Sequence, residues 1–506
     1  HMSDTHIQVC SPATGEEIGR VPISTPEDVA AAVQKVRAAQ IEWAKRSIEE
    51  RCAVIRRVKD VMIERTDEIC ELLSKEQGKP KFEGLVHEVI NCIDFTHYFT
   101  REAPRILAPQ PIPLHLMVQR TSYLHWVPRG VVGIIGPWNF PFNINNGPTI
   151  TALIAGNGVI VKPSEYTPLI QELSREIFIQ GGVPEDLFQV VHGYGDTGEA
   201  VIDNVDMIEF TGSVATGKKV AARCGERLIH CVVELGGKAP LLVMEDANIE
   251  RTANAIRWGG FANCGQVCAS VERVIVHQSV LPALLEKLIP KIKELTPGNT
   301  SIDTDVQIGP LNNERQRKIV HSQVDEAVEK GAKVVVGGKP IDGPGYFFEP
   351  TILVDVTPDM KIMNAETFGP VVTITALPDE QAMLEEANRS HLGLLAYVFC
   401  KDSSRGRSIA EQIEAGTVMV NDVLSTHGMP ETPWGGVKQS GLGHTHGDDS
   451  LRGMCEQRHI NYDRLPWTKN EIYWYPYGPK LYKRLVRLIR LIFSDTLRGK
   501  LNIFSK

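Results

Sequence analysis

A cysteine that follows a Gly-Gln turn is the first candidate for chemistry in this sequence. It is Cys268, which ends the segment Phe261-Ala-Asn-Cys-Gly-Gln-Val-Cys268. A thiolate is a strong nucleophile, so such a cysteine can form a covalent intermediate with a carbonyl compound. The alternative is a small buried apolar residue, which is the commoner role of a single cysteine.

A carboxyl group and an amide offer the other parts of a reaction at a carbonyl carbon. Glu234 precedes two glycines in Glu234-Leu-Gly-Gly-Lys238, where the backbone can pass close to a neighbour. Asn139 lies in Gly136-Pro-Trp-Asn-Phe-Pro141, directly after an apolar strand, where ligand sites of α/β proteins gather. The alternatives are an exposed Glu before a turn, and a structural turn in which Asn binds its own backbone.

The segment Val161-Lys-Pro-Ser-Glu165 offers contacts for a nucleotide sugar. It ends a second predicted strand, and at the carboxyl edge of a strand Lys162 and Glu165 suit the hydroxyl groups of a ribose. The alternative is a solvated ion pair, which contributes little to stability.

A Gly212-Ser213 turn, in Phe210-Thr-Gly-Ser-Val-Ala-Thr-Gly217, offers a site for phosphate groups. It opens a predicted helix, whose free N–H groups and positive dipole end favour an anion. The stretch Gly193-Tyr-Gly-Asp-Thr-Gly198 fits G-x-G-x-x-G literally, but no clear acidic residue follows about 20 positions later at a strand end. We therefore prefer the Gly212-Ser213 turn.

Strands and helices alternate along most of the chain, and this pattern sets where the candidate residues lie. Residues 25–105 have helical spacing after a Thr25-Pro26 start, and 114–119 with 122–127 predict a β-hairpin around Arg120-Thr121. From residue 130, short apolar β-branched runs between helical stretches predict parallel α/β sheets. The predicted strands are 131–135, 159–161, 188–191, 241–243, 274–276, 333–336 and 371–374.

The five segments, in this order, resemble the aldehyde dehydrogenase superfamily. Two more agree, Glu366-Thr-Phe-Gly-Pro370 and Pro433-Trp-Gly-Gly-Val-Lys-Gln-Ser-Gly441, as does the 34-residue gap between Glu234 and Cys268. The resemblance covers roughly residues 10–460. It implies an aldehyde dehydrogenase-like α/β fold, with a Rossmann-type NAD-binding domain, an α/β catalytic domain and a β-hairpin oligomerisation arm. The expected boundaries are 1–110 with 129–236 for NAD binding, 111–128 for the hairpin, 237–443 for catalysis, 444–465 for a return to the oligomerisation region, and 466–506 for a tail.

The resemblance also implies a role for each candidate residue. Cys268 is the nucleophile, Asn139 an oxyanion donor and Glu234 the base for hydrolysis, which favours a free acid over transfer to coenzyme A. Glu165 favours NAD over NADP because a carboxylate binds a ribose 2′-hydroxyl and repels a 2′-phosphate. The remaining cofactor residues implied by the resemblance are Lys162 at the ribose, Trp138, Pro137, Gly212 and Ser213 around the adenosine and pyrophosphate, Glu366 at the nicotinamide ribose and Phe368 beside the ring. No metal is implied.

Two departures from the common family pattern bear on the substrate. Many members have Arg-Glu after the Ser-Gly-x-Gly turn, whereas here His444-Thr445-His446-Gly447 resembles the dimeric class that oxidises fatty aldehydes. Asn139, Asn143 and Gly147 share one helix face, and Gly147 stands where many members carry a bulky aromatic residue. We expect a wide substrate funnel at Asn143 and Gly147, unless a neighbouring side chain fills the gap. We expect His446 to pack or cap a helix rather than to react.

Composition and charge narrow the class of protein further. The 506 residues are 42% hydrophobic and 23% charged, with a net charge of −8, which argues against a membrane-spanning chain and against generic nucleic-acid binding. The ten cysteines are scattered, which favours reduced thiols and no zinc site. No leader is visible after His1-Met2, which resembles a cloning scar, so we expect a cytoplasmic protein.

The tail differs from the rest of the chain in its charge. Residues 466–506 contain nine Lys or Arg and two acidic residues, a net charge of +7 that leaves −15 on the remainder. Residues 479–493 predict a basic amphipathic helix, too short to span a membrane and preceded by aromatic residues. The alternatives are peripheral contact with a membrane surface and packing on a sister subunit of a homodimer or tetramer.

The sequence therefore predicts NAD-dependent oxidation of an aldehyde to its carboxylic acid through a cysteine thioester. We favour medium to long aliphatic aldehydes as substrates. One alternative is a small polar aldehyde or semialdehyde, which would require an Arg or Lys in the funnel. A second alternative is a non-catalytic scaffold on the same fold, although Cys268, Glu234 and Asn139 argue against it.

Overall fold

The N-terminal part of the chain is a strand pair, which was not predicted, followed by the helices that the spacing over residues 25–105 predicts. A computed structural model describes residues 5–501. Thr25 caps the first long helix: its hydroxyl accepts from the Asp28 N–H at 3.2 Å, and the Asp28 carboxylate accepts from the Thr25 N–H at 2.9 Å. The elements are β1 (His6–Cys10), β2 (Glu17–Pro22), α1 (Pro26–Ala44), α2 (Ile48–Glu64), α3 (Thr66–Glu76), α4 (Lys81–Glu83), a π-helical segment (Gly84–Ile90) and α5 (Asn91–Ile106).

The predicted hairpin exists, but its first strand lies elsewhere. The antiparallel strands are β3 (Gln110–Ile112) and β4 (Arg120–Pro128), so the prediction of a strand at 114–119 is wrong. Residues 113–119 form the connecting loop, in which the apolar side chains of Leu116 and Val118 are exposed. Pro111 lies within β3 because an edge strand tolerates a residue without an N–H group.

The first parallel sheet positions most of the predicted cofactor residues. Its strands are short, mainly apolar runs, and α1 packs Val29 and Val33 into the same core as Ile208 of the sheet. The order is β9-β8-β5-β6-β7. The elements are β5 (Val131–Ile135), α6 (Asn143–Ile154), β6 (Gly158–Lys162), α7 (Leu169–Gln180), β7 (Phe188–Val190), α8 (Gly195–Asn204), β8 (Met207–Thr211), α9 (Val214–Arg227) and β9 (His230–Glu234).

A second sheet of seven strands follows, with the order β12-β13-β14-β11-β10-β16-β17. Neighbours are parallel except for β12 and β13. The elements are β10 (Ala239–Val243), α10 (Ile249–Phe261), β11 (Val271–His277), α11 (Leu281–Lys293), α12 (Glu314–Glu329), β12 (Lys333–Val336), β13 (Thr351–Val354), β14 (Val371–Leu377), α13 (Glu380–Asn388), β15 (Leu392–Gly393), β16 (Leu395–Phe399), α14 (Ser403–Ala410) and β17 (Thr417–Val420).

The last part of the chain returns to the first sheet and then enters a separate unit. The elements are β18 (Val437–Lys438), β19 (Gly441–Leu442), α15 (Gly447–Gly453), β20 (Cys455–Asp463), α16 (Pro479–Phe493) and α17 (Leu497–Leu501). Strand β19 pairs antiparallel with β9, and Gly441 lies opposite Glu234. Both large sheets lie in one compact unit, residues 5–108 and 126–457, and the other unit comprises 109–125 and 458–501. The predicted division at 236/237 and the other expected domain boundaries stay predictions.

The predicted tail helix is present as α16, and none of its residues is buried. Leu488, Ile489 and Ile492 are among its exposed apolar residues. A search of residues 5–501 finds no helix long and apolar enough to cross a bilayer.

Candidate active site

The loop that carries Cys268 has an unusual backbone. Asn263, Cys264 and Gly265 have φ angles of 50°, 58° and 72°, so three consecutive residues are left-handed. Each non-glycine residue in this region costs on the order of 1 kcal/mol or more, and such strain collects at functional sites. Gly265 is required, because a Cβ there would lie 1.9 Å from the carbonyl oxygen of Gly369.

Hydrogen bonds from distant segments hold this loop in place. The N–H of Asn263 donates to Glu83 Oε2 at 2.9 Å. Gln266 bridges the loop to another segment: its Nε2 donates to Asn263 O at 2.8 Å, and its Oε1 accepts from the N–H of Asn312 at 2.9 Å. The loop is therefore fixed before substrate arrives, as a nucleophile that must meet a carbonyl carbon requires.

The two cysteines of this segment lie in different environments. Cys264 is 1% exposed within an apolar core, and burial raises the pKa of its thiol far above the ordinary value. Cys268 is half-buried and lines a cavity. Its own burial, and then the carboxyl groups of Glu366 and Glu234, raise the pKa of the Cys268 thiol to about 12. Only Cys268 is placed to react, and it needs a neighbouring group that favours the thiolate.

Asn139 is held against the nucleophile loop. Its side-chain Nδ2 donates to the main-chain oxygen of Gln266 at 3.1 Å, and its main-chain oxygen accepts from Asn263 Nδ2 at 3.0 Å. The residue is 3% exposed and does not itself line the cavity. The structure therefore brings Asn139 to the Cys268 segment, with one amide N–H already bound to Gln266.

Glu234 ends β9 and reaches the same cavity as Cys268. Burial raises the pKa of Glu234 well above its ordinary value, and the carboxyl group of Glu209 raises it further. The nearby indole of Trp434 lowers the pKa of Glu234 and so opposes this rise. Within the described residues, neither carboxyl oxygen of Glu234 makes a hydrogen bond with normal distance and angle. A buried carboxyl group in this state is suited to accept a proton.

The two glycines after Glu234 allow a close approach that any side chain would prevent. A Cβ on Gly236 would lie 2.5 Å from Glu366 Oε2, and a Cβ on Gly237 would lie 2.5 Å from the carbonyl oxygen of Cys268. The predicted close passage of the backbone is therefore present. It joins the base candidate, the nucleophile and Glu366 in one site.

The cofactor residues predicted from the first sheet lie at the carboxyl ends of its strands. Lys162 ends β6; burial lowers the pKa of its ammonium group, and the carboxylate of Glu165 opposes the shift. Ser213 caps α9 by accepting from the N–H of Thr216 at 3.3 Å, and the Gly212 N–H donates to Glu234 O at 3.1 Å. These groups fit a dinucleotide. They are the buried ammonium of Lys162, the half-buried carboxyl group of Glu165 and the exposed amino end of α9 at Ser213.

The other predicted cofactor residues form a second group. The rings of Trp138 and Phe368 meet edge to face with centroids 5.4 Å apart, and Pro137 is half-buried beside Trp138. Glu366 Oε1 accepts from the Gly237 N–H at 3.1 Å. Burial, with the carboxyl group of Glu272 adding to it, raises the pKa of Glu366 to about 8.

Several supporting residues were not predicted from the sequence. Glu272 Oε1 accepts from the N–H groups of Thr367 and Phe368, each at 2.8 Å, and Glu272 pairs with the ammonium of Lys238 at 3.2 Å. Glu209 was not predicted either, although an acidic residue within the apolar strand Met207–Thr211 is a sequence signal for a functional site. Residues 5–501 contain no group of three or more side chains that could hold a metal ion.

The cavity at Cys268 is the candidate substrate site, and no Lys or Arg is among the described residues that line it. Both predicted funnel residues, Asn143 and Gly147, line it. A Cβ on Gly147 would meet only Phe95 Cζ, at 3.9 Å, so a larger residue would project into the cavity. The full lining is Phe95, Asn143, Ile144, Gly147, Pro148, Thr151, Glu209, Thr211, Glu234, Leu235, Cys268, Leu394, His427, Trp434, Thr445, His446 and Ser450.

Two histidines complete the wall of the cavity. Burial lowers the pKa of His427 to about 4 and that of His446 well below its ordinary value, so both are neutral at physiological pH. The His446 ring packs edge to face on Phe95 with centroids 5.1 Å apart, and its Nε2 lies 3.0 Å from His427 O. These contacts support the packing role expected for His446.

Comparison with known proteins identifies the family. A model of the aldehyde dehydrogenase family matches residues 1–460. The chain belongs to this family. It is 38% identical over 451 residues to a putative succinate-semialdehyde dehydrogenase [NADP(+)] of Mycobacterium ulcerans, a match that covers 88% of this chain and 86% of that one. It is 34% identical over 496 residues to the 4,4′-diapolycopene aldehyde oxidase of Methylomonas, with coverage of 97% and 92%.

The fold comparison agrees with this assignment. A crystal structure of an NAD-dependent aldehyde dehydrogenase from Sinorhizobium meliloti superposes with a TM-score of 0.87, at 33% identity and 92% coverage of both chains. The predicted α/β aldehyde dehydrogenase fold is therefore confirmed. The protein is an aldehyde dehydrogenase that depends on a nicotinamide nucleotide, and the relatives' names include both NADP and NAD.

Proposed function

We propose that this aldehyde dehydrogenase oxidises medium to long aliphatic aldehydes to carboxylic acids with NAD, through a thioester on Cys268. The observation that carries the substrate class is the wall of the cavity at Cys268. Among the described residues it offers mainly apolar side chains, with hydroxyl groups, neutral imidazoles, the Asn143 amide and the carboxyl groups of Glu209 and Glu234, and no Lys or Arg. Such a wall suits a substrate whose only polar group is the reacting carbonyl.

The nucleophile and the oxyanion donor act in the first half of the reaction. The Cys268 sulfur forms a bond to the aldehyde carbon, and the carbonyl oxygen becomes an oxyanion. The Asn139 amide and the Cys268 N–H would stabilise this charge, and losing one such donor typically costs about 3 kcal/mol of transition-state stabilisation. When bound, the oxidised nicotinamide supplies the acceptor for the hydride that leaves the substrate carbon.

The base acts in the second half. Glu234 takes a proton from a water molecule whose oxygen attacks the thioester carbon, and the C–S bond breaks to return the Cys268 thiolate. The position of Glu234 in the same cavity as Cys268 supports this role. The product is a free carboxylic acid.

The cofactor preference follows from Glu165. Lys162 and Glu165 would hold the adenosine ribose, and the Gly212-Ser213 turn with Trp138 and Pro137 would hold the adjoining groups. Glu366 and Phe368 would hold the nicotinamide ribose and ring. A carboxylate at the ribose accepts hydrogen bonds from the 2′-hydroxyl and repels a 2′-phosphate, so we infer that NAD is preferred to NADP.

Succinate semialdehyde is the second candidate substrate, favoured by the names of several relatives at 38% identity. Its carboxylate would enter a cavity that already contains Glu209 and Glu234 and in which His427 and His446 are neutral. An anion placed there has no cation to pair with, and burying an unpaired charge is costly. This argument favours the apolar substrate.

A second comparison also supports the apolar substrate. The match to the Methylomonas protein leaves 3% of this chain uncovered, which is less than the length of the 466–506 tail. The match to the Mycobacterium ulcerans protein covers 88% of this chain. At least part of the tail is therefore aligned with the protein named 4,4′-diapolycopene aldehyde oxidase.

We further propose that the tail binds a membrane surface, where such substrates are dissolved. Helix α16 exposes apolar residues beside Lys480, Lys483, Arg484, Arg487 and Arg490, a pattern typical of helices that lie in the lipid interface. The full chain should sediment with anionic phosphatidylserine vesicles and only weakly with neutral vesicles. Deletion of 466–506 should abolish the sedimentation with anionic vesicles. If deletion instead dissociates an oligomer and leaves vesicle binding unchanged, the tail is a subunit contact.

A homodimer, with a tetramer as the alternative, is the expected assembly. The strands β3 and β4 would form the oligomerisation arm that the resemblance implies, and β3 lies at the edge of its sheet, where it can pair with a second copy. Sedimentation velocity of the full chain measures the assembly. A monomer at micromolar concentration would contradict the expectation.

The reaction is tested by NADH formation with straight-chain aldehydes from two to about eighteen carbons. We expect catalytic efficiency to rise with chain length. Cys268→Ala should abolish activity, whereas Cys264→Ala, a matched change in the same loop, should retain it. Activity that survives Cys268→Ala would contradict the proposed nucleophile.

A further inference from the structure

Glu209 is a buried acidic residue in the active-site cavity that the mechanism above does not use. It lies in β8, where Thr211 pairs with Glu234 of the parallel strand β9 and Glu209 pairs with Val232. Residues two apart on a strand share a face, so Glu209 and Thr211 point to the same side of the sheet as Glu234. Their Cα positions place Glu209 and Glu234 diagonally, about 8 Å apart, within reach of two long side chains.

No structural partner accounts for the burial of this carboxyl group. Glu209 is 6% exposed, and within the described residues its side chain makes no hydrogen bond and no ion pair. Burial alone raises the pKa of Glu209 to about 8. An unpartnered buried carboxyl group costs stability, whereas an apolar residue at this position of an apolar strand would not.

The other ionisable groups of the cavity cannot take the place of Glu209. They are Glu234, the thiol of Cys268, and the imidazoles of His427 and His446. The two histidines are neutral and remain so well below physiological pH, because burial lowers their pKa values. Glu209, whose charge raises the pKa of Glu234, is therefore the remaining carboxyl group among the described residues of the lining that can take a proton from Glu234.

We propose that Glu209 is the second proton acceptor of the hydrolytic step, receiving from Glu234 the proton that Glu234 takes from water. This inference rests on the proposed thioester mechanism. It assigns Glu209 as a positioning and relay residue, because it acts through Glu234 rather than on the substrate. The hydroxyl groups of Thr211 and Thr445 line the same cavity and, with water, provide a path between the two carboxyl groups.

The water oxygen bonds to the thioester carbon, one water proton moves to Glu234, and the C–S bond breaks with its electron pair on the Cys268 sulfur. The O–H bond on Glu234 then breaks as one forms on Glu209, which later releases the proton to solvent. Burial raises the pKa of Glu209 to about 8, and Glu209 must be ionised to receive the proton, so the relay operates at alkaline pH. Release of the proton from Glu209 to solvent leaves Glu234 ionised for the next turnover.

The test compares Glu209→Gln with the wild type in the pre-steady state. We expect a burst of NADH, a steady-state rate lower by about tenfold, and an acyl group on Cys268 visible by intact-protein mass spectrometry during turnover. We also expect the acid limb of kcat to move to lower pH, because Glu234 loses a neighbouring carboxylate. A wild-type steady-state rate with no acyl-enzyme would overturn the inference.

Two further variants make the result specific. Glu76→Gln is the matched control: Glu76 is equally buried, burial raises its pKa to about 8, and it accepts from the N–H groups of Leu169 and Ile170 instead of lining the cavity. It should show no acyl-enzyme. Glu209→Asp keeps the carboxyl group and should accumulate less acyl-enzyme than Glu209→Gln. If Glu209→Gln does not fold, the amount of acyl-enzyme in Glu209→Asp relative to the wild type provides the test.

The outcomes also separate this inference from the proposed function. Absence of an NADH burst and of any Cys268 acyl group in the wild type and in all folded variants would refute the thioester mechanism itself. A burst in Glu209→Gln with unchanged hydrolysis would refute only the role of Glu209. Rapid hydrolysis in both Glu209 variants, with an unshifted pH profile, would leave the buried carboxyl group without a part in the reaction.

Discussion

The ammonium group of Lys79 donates to the carbonyl oxygen of Asn139 at 2.8 Å, and this contact ties the oxyanion donor to a buried charge. Lys79 is fully buried and pairs with Glu88 at 2.7 Å, also fully buried. Glu88 in turn accepts from the N–H groups of Phe142 and Asn143, at the start of α6. One ion pair thus anchors the Pro-Trp-Asn turn at Asn139 itself and at the start of the helix that follows it.

Removal of the Lys79 ammonium should weaken both the fold and the reaction. In Lys79→Met, Glu88 remains buried without its cation, so we expect a loss of about 3–5 kcal/mol in the free energy of unfolding. We also expect kcat to fall, because Asn139 loses its anchor. Urea unfolding and NADH formation measure the two effects. Lys81→Met removes a half-exposed Lys two residues away and should change stability by less than about 1 kcal/mol; equal effects of the two variants would contradict the account.

A larger residue at Gly147 should shorten the preferred substrate. Gly147→Leu projects into the cavity beyond Phe95, so we expect kcat/KM for dodecanal to fall by about tenfold or more while that for propanal stays within about twofold. Gly225→Leu is the matched control in another helix, α9, where a Cβ meets nothing within 4 Å. A uniform loss across all chain lengths would show that Gly147 serves folding and not selection.

Replacement of Glu165 should change the cofactor preference. Glu165→Ser removes the carboxylate that repels a 2′-phosphate, so we expect the ratio of NAD to NADP efficiency to fall by about tenfold, which corresponds to about 1.4 kcal/mol. Steady-state kinetics with both cofactors and one saturating aldehyde give the ratio. A wild-type enzyme that already prefers NADP would show that the 2′-hydroxyl is not held by Glu165.

The reactivity of Cys268 should depend on pH in a predictable direction. Burial and the carboxyl groups of Glu366 and Glu234 hold the pKa of its thiol at about 12, so alkylation of the cofactor-free enzyme should accelerate steadily from neutral to alkaline pH. In Glu366→Gln the pKa of the Cys268 thiol should fall, because the larger of the two carboxyl effects is lost. Mass spectrometry of the Cys268 peptide follows the labelling. An unshifted profile would mean that Glu366 does not face the thiol.

Local signals in the sequence predicted much of the fold. The capping box at Thr25, the helix start at Pro479 and the apolar runs of the two sheets are short-range patterns, and they appear as predicted. The prediction of a hairpin strand at 114–119 was wrong because alternation of apolar residues does not reveal which segment pairs with a neighbouring strand. Leu116 and Val118 alternate correctly and are nevertheless exposed.

The site was predicted where the motif itself carries the chemistry and was missed where distant segments meet. Cys268, Glu234 and the glycines beside it stand in recognisable motifs. By contrast, the bond from Asn263 to Glu83 spans 180 positions, and that from Lys79 to Asn139 spans 60. Such pairings depend on the completed fold, and no local pattern specifies them.

We propose that the cavity at Cys268, which has no Lys or Arg among its described residues, selects an apolar aldehyde. The most direct test is the ratio of kcat/KM for decanal to kcat/KM for succinate semialdehyde, measured with NAD on the full chain under the same conditions. The account predicts a ratio well above one, on the order of a hundred, because the semialdehyde carboxylate would be buried without a cation. A ratio below one would contradict it and would make the semialdehyde the substrate.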